Sequence, residues 1–338
     1  LTVPDELDGH AVREIGDSAF GSCRSLTTVT LPDGLTAIGD RAFGSCWSLT
    51  TITLPEGLTS IGDSALSGCG SLTTITLPIG LTTIGENPFR GCDLLAKIDV
   101  SPDHPVFAQI DGVLYEKATK TLISYPAGKA GGSFAVPDGI LAIGDSAFFF
   151  CSSLTTITLP DSLTTIGDSA FSGCSSLTTI TLPEGLTSIG ENAFSYCETL
   201  TTITLPDSLT TIGDGAFYRC SFLTTATLPE GLTSIGDSAF DGCSSLTTIT
   251  LPDGLTTIDD EAFSGCDSLT SITLPEGLTS IGDRAFYWCG SLTTVTLPDS
   301  LTTIGDFAFW NCPSDLTLTV PRDSYACQYA IDNGLAYT

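Results

Sequence analysis

Twelve of the thirteen cysteines fall on one ruler. Cys23, Cys46, Cys69 and Cys92 stand 23 residues apart, as do Cys151, Cys174, Cys197, Cys220, Cys243, Cys266, Cys289 and Cys312. Thiols at regular intervals suggest disulfide bonding or metal ligation. A metal site needs clustered ligands, but no Cys-x-x-Cys occurs and His10 and His104 are the only histidines. Disulfides are common in exported proteins, and neighbouring thiols one period apart would be near enough to bridge. Identical side chains stacked in register, however, point side by side rather than at one another. The spacing therefore favours unbridged, buried thiols that act as small apolar filler.

Carboxylates form two further columns. One follows a proline: Asp33, Glu56, Asp161, Glu184, Asp207, Glu230, Asp253, Glu276 and Asp299. The other is Asp17, Asp40, Asp63, Asp145, Asp168, Glu191, Asp214, Asp237, Asp260, Asp283 and Asp306. Carboxylates in adjacent coils suggest weak calcium binding. Most coils offer one carboxylate per column, too few for a tight site, so turn and N-cap service plus solubility is the preferred reading. Threonine repeats as Thr-x-Thr at Thr156/Thr158, Thr179/Thr181, Thr202/Thr204, Thr225/Thr227, Thr248/Thr250 and Thr294/Thr296. Such a column resembles some ice-binding faces, but it should lie on the concave side of a curved array, and Thr is also a good strand residue. No activated-nucleophile pattern and no phosphate-cradling glycine loop occurs, so neither catalysis nor a cofactor is expected.

Large aromatics break the monotony beside the cysteines. Most coils carry small residues there, but Phe149, Phe150, Tyr196, Tyr218, Tyr287, Trp288 and Trp310 precede a cysteine, and Trp47 and Phe222 follow one. The same residues could pack over the next coil or form a binding ridge. A ligand that read only repeated residues would have no register, so the exceptions are the candidate ligand-binding residues: Tyr218, Phe222, Tyr287, Trp288, Trp310, Phe149, Phe150 and Tyr196.

The elements that position these residues follow from one unit. In Leu246 to Leu251, Ile249 and Leu251 alternate with Thr248 and Thr250, which predicts a strand with one buried face. Pro252 cannot donate to a ladder and ends the strand. Asp253-Gly254 is a turn, and Leu255 to Ile258 is a second extended piece. Asp237 then reads as the N-cap of one tight helical turn that buries Ala239 and Phe240, before Cys243 closes the coil. No unit can bury both its faces alone, so units must stack in register. About 14 coils at strand spacing predict an elongated array roughly 65–70 Å long.

The pattern Leu-x-x-Ile-x-Leu-Pro-x-x-Leu-x-x-Ile-Gly-x-x-Ala-Phe-x-x-Cys resembles the BspA-type leucine-rich repeat carried by bacterial and protozoan surface proteins. Pro4 to Gly16 resembles that family's longer first coil, and Ser324 to Ala330 its closing helix. The resemblance implies a β-rich solenoid, a leucine-rich repeat array with parallel strands, short helical turns and a small C-terminal capping helix. The expected organisation is one domain over 1–338, with an N-terminal coil at 1–31, an irregular hairpin-containing coil at 93–137 and a cap at 313–338. The interval from Cys92 to Cys151 is 59 residues, where two periods take 46, leaving 13 extra. Within it Val113 to Tyr115 and Leu122 to Tyr125 flank a polar turn at Lys117 to Lys120, which reads as a hairpin. All four lysines, Lys97, Lys117, Lys120 and Lys129, lie there; solvated loop residues are preferred over a cationic platform.

The formal net charge of -28 opposes nucleic acid and anionic lipid surfaces and favours a monomer. No apolar run is long enough to span a membrane. The sequence opens on Leu1 and holds no Met, which suggests a processed or truncated piece of a longer product. The resemblance implies a non-enzymatic, extracellular or cell-surface scaffold that binds a host, matrix or neighbouring-cell protein. Glycan binding through the ridge aromatics is the alternative, and ice binding through the Thr face a more distant one.

Overall fold

The computed structural model describes residues 1–338. The chain forms two compact units, Leu1–Gly132 with Gly139–Ser153, and Ser133–Asp138 with Leu154–Thr338. Each is a stack of short coils with parallel strands, so the fold class is a β-solenoid with one small C-terminal helix.

In the second unit a coil holds two strand pieces, for example Thr248–Thr250 and Thr257–Ile258, with buried Pro252 between them. Each piece pairs in parallel with its counterpart 23 residues away, as in Ile180↔Ile203 and Ile258↔Ile281. The alternation sets the faces: Thr202 and Thr204 point to solvent and Ile203 to the core. Proline ends each first piece because it has no N–H for the ladder.

Three side-chain ladders lock this register. Thr247 and Thr256 donate through Oγ1 to the carbonyls of Thr224 and Thr233, 3.1 and 2.9 Å away, each one period earlier. Cysteine thiols donate to the carbonyl 26 residues earlier, which most coils place on phenylalanine, as in Cys243 to Phe217 (3.2 Å) and Cys289 to Phe263 (3.2 Å). The third ladder is built by aspartates. Asp237 Oδ1 accepts the backbone N–H of Asp260 at 3.1 Å, Asp260 that of Asp283 at 2.6 Å, and Asp283 that of Asp306 at 2.7 Å.

The aspartate column therefore does not cap helical turns of its own coil. The residue after the aspartate, Ser238, is left-handed (φ 54°), as is Gly242 four residues on (φ 71°). Two left-handed residues in one short segment exclude a right-handed helical turn, and the segment is a chain of turns instead. The recurring glycine of Ile-Gly-Asp also finds its cause here. A Cβ at Gly236, Gly282 or Gly305 would lie 2.3–2.5 Å from the preceding coil's Asp Oδ1, so the carboxylate occupies the space a side chain would need. Asp259 alone stands at that position as a carboxylate.

Behind the ladders the core is a column of rings. Phe171, Phe194, Phe217, Phe240, Phe263, Phe286 and Phe309 stack with centroids 5.2–5.6 Å apart and nearly parallel planes. Burying each such ring contributes about 1.5–3 kcal/mol, and coil stacking is what achieves it.

In the first unit Glu6–Leu7 and His10–Ala11 form a small antiparallel ribbon, after which Glu14–Ile15 joins Ala37–Ile38 in parallel register. The expected hairpin is present: Val113–Glu116 pairs antiparallel with Thr121–Ser124. A third strand, Phe107–Ile110, precedes it. His104 is fully buried at the entrance to this meander. Its Nδ1 accepts from the N–H groups of Val106 and Phe107, so Nε2 carries the proton and donates to the Pro78 carbonyl at 3.2 Å. Burial lowers its pKa, which suits a neutral, structural imidazole. The lysines are largely committed: Lys97 pairs with Asp99 and Lys129 with Asp111, both at 2.8 Å, and Lys117 Nζ donates to the His104 carbonyl.

The C-terminal helix, Tyr325–Asp332, is N-capped by Ser324, whose Oγ accepts the Cys327 N–H at 3.1 Å. It buries Ala326 and Ala330, and Ala336–Tyr337 then pairs with Thr317–Thr319. This covers the edge of Thr317–Thr319 and leaves the sheet to end on a strand of only two residues, a short edge that offers little for further pairing.

Two stability changes follow. Asp237→Ala removes an acceptor from the Asp260 N–H and should cost about 1 kcal/mol in denaturant unfolding; Asp306→Ala, with no later coil to cap, should cost almost nothing. Burial, then the carboxylates of Asp237, Asp214 and Asp260, raise the pKa of Asp259. Its ionised form therefore costs stability above that raised value, and the cost fades as pH falls through it. Asp259→Gly should raise the melting temperature at neutral pH, with the gain shrinking in acid.

Candidate functional site

The residue just before each cysteine is left-handed. Five coils place glycine there, Gly68, Gly91, Gly173, Gly242 and Gly265, with φ from 64° to 75°. Three coils place a large aromatic there instead: Phe150 (φ 54°), Tyr196 (φ 56°) and Trp288 (φ 57°). For a residue with a Cβ this conformation costs about 1–2 kcal/mol. Burial offsets it only in part, because Phe150, Tyr196 and Trp288 are 51, 40 and 57% exposed. Other coils fill this left-handed position with Gly, Ser, Arg or Asn, so it is the exposed aromatic in such a position that marks this ridge.

The candidate residues gather into three groups. Phe149 and Phe150 meet at 4.5 Å in the first unit, and the Arg90 guanidinium lies 3.6 Å from the Phe149 ring centroid. Tyr196 and Tyr218 meet edge to face at 5.3 Å, with Arg219 against both rings and its Nε donating to the Tyr218 hydroxyl at 3.1 Å. The largest group lies near the C-terminus and contains Tyr287, Trp288 and Trp310. Phe222 is 59% exposed but meets none of these rings.

Two members of the C-terminal group escape a reading of the cysteine flanks. Phe307 sits in the other left-handed position (φ 59°), where the other coils place Ser, Asn, Gly, Arg or Glu, and meets Trp310 edge to face at 5.5 Å. Asn311 occupies the strained position before Cys312. With its amide oxygen turned toward the indoles, it accepts from Nε1 of Trp310 at 3.1 Å and from Nε1 of Trp288. The Trp288 backbone N–H donates to the Trp310 carbonyl at 3.0 Å. One amide thus fixes two exposed indoles. Phe307 was detectable as the one aromatic in its column; the role of Asn311 required knowing which neighbours its coil meets.

The cysteine column has no comparable chemistry. Burial pushes the Cys46 thiol up to about 11, Cys220 to about 12, and those of Cys197, Cys243, Cys266 and Cys289 well above the ordinary value. At neutral pH they are un-ionised, and the thiolate is the reactive and metal-binding form. No three His, Cys, Asp or Glu side chains converge in metal-binding geometry. No helix is long and apolar enough to cross a membrane.

Parallel strands in 23-residue register over a Leu, Ile, Phe and Cys core define a leucine-rich repeat solenoid. Six copies of the BspA type leucine rich repeat region match residues 9–111, 132–247 and 210–330, and the chain belongs to that family. It is similar in structure to a leucine-rich repeat protein from Eubacterium ventriosum, with 29% identity and a TM-score of 0.76 over 84% of this chain and 82% of that one. A leucine-rich repeat protein from Bacteroides ovatus is 30% identical with a TM-score of 0.65, covering 100% of this chain and 91% of the other. A leucine rich cell surface protein from Faecalibacterium prausnitzii is 29% identical with a TM-score of 0.59, covering 99% and 89%. No curated protein matches the sequence.

The strain argument has a direct check. Trp288→Gly removes a large aromatic yet relieves a left-handed Cβ, so the melting temperature should hold or rise slightly. A fall equivalent to about 2 kcal/mol would mean that the ring is core and not display.

Proposed function

We propose that this chain is a non-enzymatic recognition scaffold at the cell surface that binds a protein partner through the Tyr287, Trp288, Phe307 and Trp310 cluster. The observation that carries this is the pair of exposed indoles held by Asn311. Tyr and Trp supply large contact area for little side-chain entropy, and a ring already fixed loses less on binding. The cluster also breaks the repeat, which gives a partner one register to find. The Tyr196, Tyr218 and Arg219 group is a second contact region on the same unit, and Phe149 with Phe150 supplies one on the other. Surface display is supported by the Faecalibacterium prausnitzii protein, described as a cell surface protein. The partner class proposed is a host, matrix or neighbouring-cell protein, with this chain acting as a monomer; a glycan stacking on the indoles is the competing ligand.

The Thr-x-Thr face is uniform. Thr248 and Thr250 are exposed and carry the same pattern as Thr202 and Thr204. A matrix-protein and glycan array supplies the partner, and two variants then test the face. Tyr287→Ser with Trp288→Gly restores common repeat residues and should weaken binding by about 2 kcal/mol with an unchanged melting curve. Replacing Thr248 and Thr250 by Ser should leave affinity unchanged; the reverse outcome assigns recognition to the strand face.

A further inference from the structure

The last coil and the C-terminal helix flank a half-open cavity of about 270 Å³. Its walls are Phe307, Phe309, Trp310 and Tyr329, with Asp306 at the rim and Asn333 beside them. The rings form two edge-to-face pairs, Phe307 with Trp310 at 5.5 Å and Phe309 with Tyr329 at 6.3 Å. Rings turned in different directions offer both faces and edges to the cavity they line, and aromatic faces attract cations.

Asp306 supplies the matching charge. Every aspartate before it in this run accepts the backbone N–H of the following coil, as Asp283 does for Asp306 itself. After Asp306 no further coil follows, since the chain turns into the helix Tyr325–Asp332. Its carboxylate is exposed and has no ladder duty. Tyr329 is not a second anion: burial, with Tyr325 and Asp306 nearby, pushes its hydroxyl up to about 12. Phe307 holds a left-handed backbone while 53% exposed, so its ring is placed at the rim at a conformational cost. The net charge of -28 also concentrates cations at the surface.

We propose that this cavity binds the head of an organic ammonium ion, a trimethylammonium or methylated lysine group, with the aromatic rings around the methyls and Asp306 against the charge. It shares Phe307 and Trp310 with the recognition cluster but does not rest on that reading, because Trp288 and Tyr287 do not line it. A trimethylammonium head is chosen over a metal ion because the wall is aromatic with a single carboxylate. It is chosen over a neutral ligand because the free carboxylate lies at the rim.

The test titrates the full chain with choline, with trimethyllysine and with 3,3-dimethylbutan-1-ol, the neutral isostere of choline, following tryptophan fluorescence and ligand NMR. Saturable binding of choline or trimethyllysine at least about tenfold tighter than the isostere is expected; the tighter of the two cations identifies a free head group or a peptide side chain as source. Asp306→Asn should erase that preference without moving the melting curve. Trp288→Gly should leave it intact, which separates failure here from failure of the recognition cluster. Equal binding of the isostere, no saturation by about 50 mM choline, or an Asp306→Asn variant that keeps the preference would each overturn the proposal.

Discussion

The structure depends on one constraint: a polar group at the end of each coil is satisfied by the coil one period away. The Asp237 carboxylate meets the Asp260 N–H, and the Thr247 hydroxyl meets the Thr224 carbonyl. The Cys243 thiol meets the Phe217 carbonyl. Backbone pairing alone would tolerate a slip between short strands, since only two or three residues of each take part. The side-chain ladders do not tolerate it. A one-residue shift would set a carboxylate against a Cβ where the Ile-Gly-Asp glycine now leaves space. Stacked phenylalanines would lose their partners at the same step. Hydrogen bonding and burial therefore enforce a single period, and they do so most strongly where the coil turns.

That constraint determines where function can sit. Columns that build the ladders must repeat, so they cannot distinguish one coil from another. The residues free to differ are those the ladders do not use, chiefly the turn beside each cysteine. There the backbone must still be left-handed, which favours glycine. Tyr196 and Trp288 accept that conformation while keeping much of their surface exposed, so their presence runs against local preference and is repaid by packing only in part. The end of the array provides a second freedom. Asp306 inherits the chemistry of its column but not the duty, and the capping helix brings Tyr329 to its side.

Much of this was legible from residue types and spacing. The period, the strand at Thr248 to Thr250, the turn after Pro252, the hairpin from Val113 and the C-terminal helix all follow from alternation, proline and the cysteine ruler. The thiol column as buried filler follows too, because identical residues in register share one environment. Handedness did not: Asp-Ser-Ala-Phe reads as a cap and a helical turn until the left-handed Ser238 is seen. The aspartates consequently appeared to serve their own coil when they serve the next. Of the site, the aromatics were visible as exceptions, but not their grouping. A spacing rule says which column a residue occupies, not whether Phe222 reaches a neighbouring ring or whether Asn311 reaches two indoles.

The register constraint is tested most directly by amide hydrogen exchange at the aspartate column, read residue by residue by NMR. The N–H groups of Asp40, Asp63, Asp260, Asp283 and Asp306 each face the carboxylate of the coil before. Asp17 has no aspartate of the column 23 residues before it in this sequence. Slow exchange at the five capped amides with fast exchange at Asp17 is the result the ladder requires. Exchange at the five as fast as at Asp17 would show that the carboxylates do not hold the coils, and that the register comes from the core alone.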